Sequence, residues 1–258
     1  MTLLDDKVVL VSGGSQGVGG AVARAAARAG ASVLLTGRRT EPGEALAAEL
    51  TALGAQAAFV RADVADVEQA RASVAAAVAR FGRVDCLVNS AGLTSRGSLL
   101  DTTPELFDAH IAVNLRAPFF LMQGAVADML SRHAHGTIVN IISTSAHCGQ
   151  SFLTPYSTAK AALAGLTRNA AHAHRFDRIR INGLNIGWTD TEGEDATQRV
   201  FHGAGDDWRE QAGKNLPMGR LGRADEIADF VVFLLSERSG VVTGSVIDWD
   251  QNVIGAID

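Results

Sequence analysis

The sequence contains only two cysteines, Cys86 and Cys148, too few for a disulfide framework, which points to a reducing, cytoplasmic setting. Cys148 has no base paired with it in the sequence, so a nucleophilic thiol is not expected. No apolar run approaches the roughly 18 residues that a membrane-spanning helix needs. The most apolar stretch, 230–235, is short and flanked by Asp229 and Glu237. Residues 1–7 carry Asp5 and Asp6 and lack the cationic start and apolar core of a secretory leader. Positive charge is not in excess either. A net charge of −5 and a pI near 5.8 give no basic footprint for nucleic acid. Neither nucleic acid nor a membrane is therefore expected as a partner. A metal set is also missing: His133 and His135, like His172 and His174, are two apart and would face different sides of a helix.

What is present is 258 residues, 47% of them hydrophobic, which suits one large α/β domain over 1–258. Short apolar runs at 7–11, 31–36, 56–61, 84–89, 136–142, 178–184 and 245–248 read as strands. Between them lie Ala-rich helical segments: one ending at residue 28, then 44–53, 67–81, 104–132, 157–173 and 225–235. Pro104 suits a first helical turn, whereas Pro118 is expected to bend or split the segment it interrupts. Alternating strands and helices predict a Rossmann-type, doubly wound parallel β-sheet of about seven strands with helices on both faces. Ligands of such a sheet bind outside the carboxyl ends of its strands. The one long irregular stretch, 187–222, is expected to be a lid, centred on 188–218, or a disordered insert.

The candidate chemistry follows the strands. Gly13, Ser15, Gln16, Gly17, Val18 and Gly19 lie between the first strand and the first helix. Glycines let the backbone approach a phosphate, and free amides at a helix start hold it. No Gly-Lys-Ser/Thr follows, so a nucleotide-hydrolysing loop is not expected. An acid after the second strand would accept from a ribose hydroxyl. Arg38 and Arg39 stand there instead, and they suit a 2′-phosphate, which favours NADP(H) with NAD(H) as the alternative. Solvated loop arginines are the plainer explanation of the same residues. Asp63 and Val64 are placed to meet an adenine, and Asn89, Ala91 and Gly92 a ribose. Tyr156 and Lys160 are four apart on a helix, so they share a face. A fixed ammonium stabilises a phenolate and lowers its pKa, which makes a tuned proton donor and acceptor. Taken alone, the pair is more simply a surface tyrosine beside a solvated lysine. Ser143, Thr144 and Ser145 follow a strand and could bind substrate or cap backbone groups. Trp188, Phe201 and Trp208 could cover a substrate or anchor the lid, and His147 could line a pocket or a loop.

Together these residues resemble the short-chain dehydrogenase/reductase family along almost the whole chain. The run from Ser12 to Gly19 is similar to its cofactor loop, and Asn89-Ser90-Ala91-Gly92 to its Asn-Asn-Ala-Gly stretch. Asn114, Ser143 thirteen residues before Tyr156, and Lys160 complete its catalytic set, and Gly219 to Arg223 and Val242 to Ser245 match further downstream. The resemblance implies that Tyr156 and Ser143 act on the substrate oxygen, that Lys160 also binds the nicotinamide ribose, and that Asn114 holds a water. It implies cofactor contacts at Gly187, Thr189 and Thr191, and a homotetramer or homodimer built on the long helices and last strand. The expected activity is hydride transfer between NADP(H) and a small secondary alcohol or ketone. Ser145, His147, Gln150 and Trp188 are the substrate candidates. The alternatives are an NAD-dependent sugar or polyol dehydrogenase and, from another class, a non-catalytic dinucleotide-binding sensor. Two departures stand out: Ile186 where the family has proline, and Asp250-Gln251-Asn252 in place of Asp-Gly-Gly, with a tail running on to Asp258 that in the family often packs near a neighbouring subunit's site.

Overall fold

Each expected apolar run forms a strand in the computed structural model, which describes residues 2–254. In chain order the strands are β1 (Val8–Ser12), β2 (Ser32–Gly37), β3 (Ala57–Arg61), β4 (Cys86–Asn89), β5 (Gly136–Ile141), β6 (Ile179–Ile186), β7 (Thr189–Asp190), β8 (Gly222–Arg223) and β9 (Val246–Trp249). Seven of them make one parallel sheet in the order β3-β2-β1-β4-β5-β6-β9, and β7 and β8 form a separate pair. The helices are α1 (Gly17–Arg28), α2 (Thr40–Ala52), α3 (Val67–Phe81), α4 (Pro104–Ile111), α5 (Ala117–Ser131), α6 (Thr154–His174), α7 (Glu192–His202), α8 (Trp208–Gly213) and α9 (Ala224–Leu235).

Alternate strand residues feed two cores. Val9, Val11, Val33, Leu35, Val88 and Ile141 pack with α1, α2 and α9, whereas Leu10, Leu34, Leu87, Ile138 and Ile181 pack with α3, α5 and α6. Each such side chain stabilises the fold by about 1.5–3 kcal/mol. A slip of one residue would exchange the two sets, so register is tightly held. Strand order reverses beside β1, and the carboxyl ends of β1 and β4 open the crevice in which doubly wound sheets bind ligands.

Three details differ from the expectations. The segment 104–132 stays helical through Pro118, because a π-helical turn, Ala112–Arg116, precedes it and the proline falls in the first turn of α5, where a missing N–H is tolerated. The stretch 187–222 is neither irregular nor a disordered insert. It folds as β7, α7, α8 and β8, and Asp195 ties it together by accepting from Arg199 Nε (2.9 Å), Trp208 Nε1 (2.8 Å) and Arg209 Nη1 (2.8 Å). Those three donors hold the Asp195 carboxyl well below the usual carboxylate range. Finally, β6 runs on through Ile186, paired with Trp249, and the ladder bond there is donated by the Gly187 N–H to Trp249 O at 3.1 Å. Among the described residues no helix is long and apolar enough to cross a membrane. Met1 and residues 255–258, the end of the tail, lie outside the described residues.

Candidate active site

The turn from β1 to α1 is shaped by close approach. Gly13 has φ +72°, and a Cβ there would lie 2.6 Å from the backbone nitrogen of Ala91. A Cβ on Gly19 would collide with the carbonyl oxygen of Gly13. The loop 13–19 and the segment 89–92 are therefore pressed together. Gln16 precedes α1 without a side-chain cap, so the N–H groups of the first turn, including those of Gly17, Val18 and Gly19, are free for an anion. This cradle fits the pyrophosphate of a dinucleotide. Ser15 Oγ lies 2.8 Å from the position a Cβ would take on Gly37, so the loop touches the end of β2, where Arg38 and Arg39 follow, both exposed. Asp63 accepts from the Ala65 N–H at 3.1 Å, Val64 is buried, and the Asn89 amide donates to Asn140 Oδ1 at 2.7 Å while its own oxygen is unpartnered. Thr191 reaches the same loop, its Cγ2 3.7 Å from a Cβ built on Gly17. Thr189 Oγ1 donates to the Gly187 carbonyl at 2.9 Å, and the Gly187 N–H donates to Trp249 O at 3.1 Å.

Tyr156 and Lys160 sit in the first turns of α6, both buried. Lys160 Nζ donates to the Ile141 carbonyl at 2.8 Å and stands 5.7 Å from the centre of the Tyr156 ring. Burial pulls the Lys160 ammonium down to about 8. Burial also pushes the Tyr156 phenol up, opposed by the Ser143 hydroxyl; the Glu194 carboxylate raises it further and the Arg96 guanidinium lowers it. The phenol is thus held above its ordinary value rather than below it, as the Tyr-Lys spacing had suggested. The same dry interior that destabilises a phenolate also weakens the ammonium expected to stabilise it. Ser143 accepts from the Ser145 N–H at 3.1 Å, so its oxygen caps the short turn Thr144–His147 while its O–H stays available.

Asn114 lies in the π-helical turn, fully buried. Its Oδ1 accepts from the Leu93 N–H at 3.0 Å, and its Nδ2 donates to Leu93 O at 2.9 Å and meets His110 Nδ1 at 3.2 Å. The amide is therefore committed to the loop after β4. Pro118, the residue an α-turn would pair with the Asn114 main-chain carbonyl, has no N–H to give.

Three further residues reach this centre, of which the sequence reading passed over His110 and Arg96. His110 is fully buried, meets Ser95 O at 3.1 Å and stands edge-on to the Tyr156 ring at 6.2 Å; burial lowers its pKa. Its position one turn before Asn114 was the available signal. Arg96 stacks on Phe152 (5.3 Å) and Phe201 (5.8 Å) and donates to Thr94 O and His202 Nε2. Glu194, in the first turn of α7, accepts from Trp188 Nε1 at 2.8 Å and Gln198 Nε2 at 2.7 Å. Of the substrate candidates, Trp188 joins this group. Ser145 donates to Gln150 Oε1 at 2.9 Å, and His147 is drawn to Asp248 (2.7 Å) and Asn185 (3.0 Å) at the β6–β9 edge.

The sequence pattern of a family described as enoyl-(acyl carrier protein) reductase matches residues 13–251. An L-rhamnose 1-dehydrogenase (NAD(P)(+)) of Azotobacter vinelandii is 38% identical over 249 residues, covering 94% of each chain. A second L-rhamnose 1-dehydrogenase (NAD(P)(+)), from a Sphingomonas strain, is 35% identical over 96% of each chain. The crystal structure of a short-chain type dehydrogenase/reductase from Mycobacterium marinum superposes with a TM-score of 0.90 at 29% identity, over 98% of this chain and 97% of its own.

Proposed function

The chain belongs to the short-chain dehydrogenase/reductase family and is an NAD(P)-dependent oxidoreductase acting on CH–OH groups, and within that activity we propose transfer between NADP(H) and a secondary alcohol or ketone, with Tyr156 as general acid/base. The observation that carries this reading is the buried Tyr156 with the Ser143 hydroxyl and Lys160 around it, beside the glycine cradle. The dinucleotide supplies hydride chemistry when bound. In reduction, Tyr156 gives its proton to the substrate oxygen as charge develops there, and Ser143 donates a hydrogen bond to the same atom. Both interactions strengthen along the reaction, which is what lowers a barrier. In oxidation Tyr156 takes the proton, Lys160 bears on its charge from one turn away, and the Asn114 carbonyl offers a relay water its acceptor.

The preference for NADP(H) rests on Arg38 and Arg39, exposed at the end of β2 beside Ser15, where no acid stands. Fluorescence titration with NADPH and NADH in parallel, then a panel of ketones and polyols with the preferred form, tests the whole reading. Much tighter NADH binding would overturn the arginine assignment. Absence of turnover across the panel, with the dinucleotide bound, would favour a sensor. An NAD-dependent sugar or polyol dehydrogenase is the second reading, favoured by the two relatives named for L-rhamnose. Gly187, Thr189 and Thr191 are assigned to the nicotinamide end, and residues 188–218 to the lid. A homotetramer or homodimer is part of the proposal, supported by Phe107, Phe119 and Leu130, exposed on α4 and α5. So is a cytoplasmic setting, supported by two free cysteines.

A further inference from the structure

Arg96 and Glu194 come from different elements that meet at α7, on whose last turn Arg96 is bonded to His202 and stacked on Phe201. Arg96 is on the loop after β4, and its neighbour Gly97 is pinned to the strand-like segment before Tyr156: Gly97 N donates to Phe152 O at 2.9 Å, and Thr154 N to Gly97 O at 3.0 Å. Glu194 is on the lid helix α7. Arg96 spends three of its five N–H groups, two on the single His202 Nε2 (3.3 and 3.1 Å) and one on Thr94 O (2.9 Å), which leaves two. Glu194 spends Oε1 on Trp188 and Gln198 and keeps Oε2. The phenol of Tyr156 feels both charges, in opposite directions. Trp188, 39% exposed, is held flat by its bond to Glu194 and by stacking on Trp208 at 6.0 Å.

A carboxylate and a guanidinium whose charges oppose one another at Tyr156 leave little net field to attract a charged substrate. They offer instead a strong acceptor, a strong donor and an aromatic face. A ring bearing neighbouring hydroxyls matches that set: each hydroxyl both donates and accepts, and the C–H face of the ring covers the indole. We propose that Arg96 and Glu194 form a clamp for a polyhydroxylated ring, a sugar or cyclic polyol, in which one hydroxyl meets Tyr156 while its neighbour donates to Glu194 Oε2 and accepts from Arg96. This rests on the hydride-transfer reading and selects its sugar or polyol branch.

The test compares a cyclic polyol, the cyclic monoalcohol of the same ring and a 2-hydroxy acid as substrates of the full chain with its preferred dinucleotide. Wild type, Glu194→Gln, Arg96→Lys and Arg96→Met are each assayed. Glu194→Gln keeps an acceptor for Trp188, so the lid is preserved. Hydrogen bonds to charged groups predict a loss in kcat/KM about ten- to a hundredfold greater for the polyol than for the monoalcohol, with the difference mostly in KM. Arg96→Lys should retain part of what Arg96→Met loses. Binding of the polyol is followed separately by tryptophan fluorescence of the protein–dinucleotide complex, a readout that stands even if no alcohol is turned over. Polyol binding that weakens in Glu194→Gln supports the clamp. Absence of polyol binding, equal losses on all three substrates, or a preference for the 2-hydroxy acid that only Arg96→Met abolishes would overturn it, the last in favour of an anion site.

Discussion

Replacing Lys160 by methionine should make the cofactor-free protein more stable at neutral pH while removing its activity. The ammonium is buried, and its pKa falls from 10.5 to about 8 because the interior disfavours charge. That fall is a penalty of about 3 kcal/mol on the charged form in the folded state. Methionine removes the penalty but also the Nζ to Ile141 hydrogen bond, worth about 1.5 kcal/mol. The balance is about 1–2 kcal/mol in favour of Lys160→Met, or a Tm higher by about 2–4 °C for each kcal/mol in a chain of this size. The pH dependence gives the sharper check. Below a pH of about 8 lysine is protonated in both states and the penalty is complete. Between about 8 and 10.5 the unfolded chain holds more protons than the folded one, so wild-type stability rises with pH there. The advantage of Lys160→Met should therefore shrink across that window. Urea unfolding at about pH 7 and about pH 10, with linear extrapolation, measures it. A variant less stable than wild type at neutral pH, or an advantage that does not change with pH, would refute a destabilising buried charge.

Tyr156→Phe should reduce kcat by at least about a hundredfold, the usual contribution of a positioned acid or base, and leave the dinucleotide Kd unchanged in a fluorescence titration. Near wild-type turnover would sink the assignment. Tyr156 is the only tyrosine in the chain, so phenolate absorbance titrates this one group. Burial places its midpoint in the cofactor-free protein above the ordinary 10.0, and a midpoint below that value would mean that Lys160 outweighs burial. Arg38→Ala should weaken NADPH about tenfold, as expected for one exposed charge-assisted contact, while NADH binding stays the same and the difference fades in high salt. Equal losses for the two dinucleotides would remove Arg38 from the 2′-phosphate.

The strand order was legible because parallel strands covered on both faces are apolar from end to end, and Val8 to Ser12 or Cys86 to Asn89 cannot be read as anything else with a glycine turn behind them. Helix α7 was not, because it fully buries none of its residues and its sequence is polar. Yet Thr191 and Glu194 are spaced as a capping box, Thr191 Oγ1 accepts from the Glu194 N–H at 3.1 Å, and Gly203 closes α7 in the left-handed conformation. Those end signals outline a helix even where the apolar stripe is weak. The π-helical turn at Ala112–Arg116 leaves no comparable mark, since its pairing differs from an α-helix by one residue. Arg96 was invisible for a different reason: its partner His202 is 106 residues away, and no local pattern encodes that meeting.

The loop after β4 explains why so much of the site depends on residues that never touch a substrate. Ala91 is wedged against Gly13 of the cofactor turn. Leu93 is held at both its N–H and its carbonyl by Asn114, Ser95 by His110, and Gly97 by the backbone of Phe152 and Thr154, two residues before Tyr156. One short segment is thus fixed at one end to the glycine turn after β1 and at the other to the start of α6. Partly buried hydrogen bonds linked in this way are worth more intact than their separate deletions suggest, because removing one partner orphans the other. Positioning the loop is the task that the Asn114 amide performs. His110 shares that task and adds an aromatic edge against Tyr156, so the placement of the Tyr156 ring depends on a helix turn and a loop beside it.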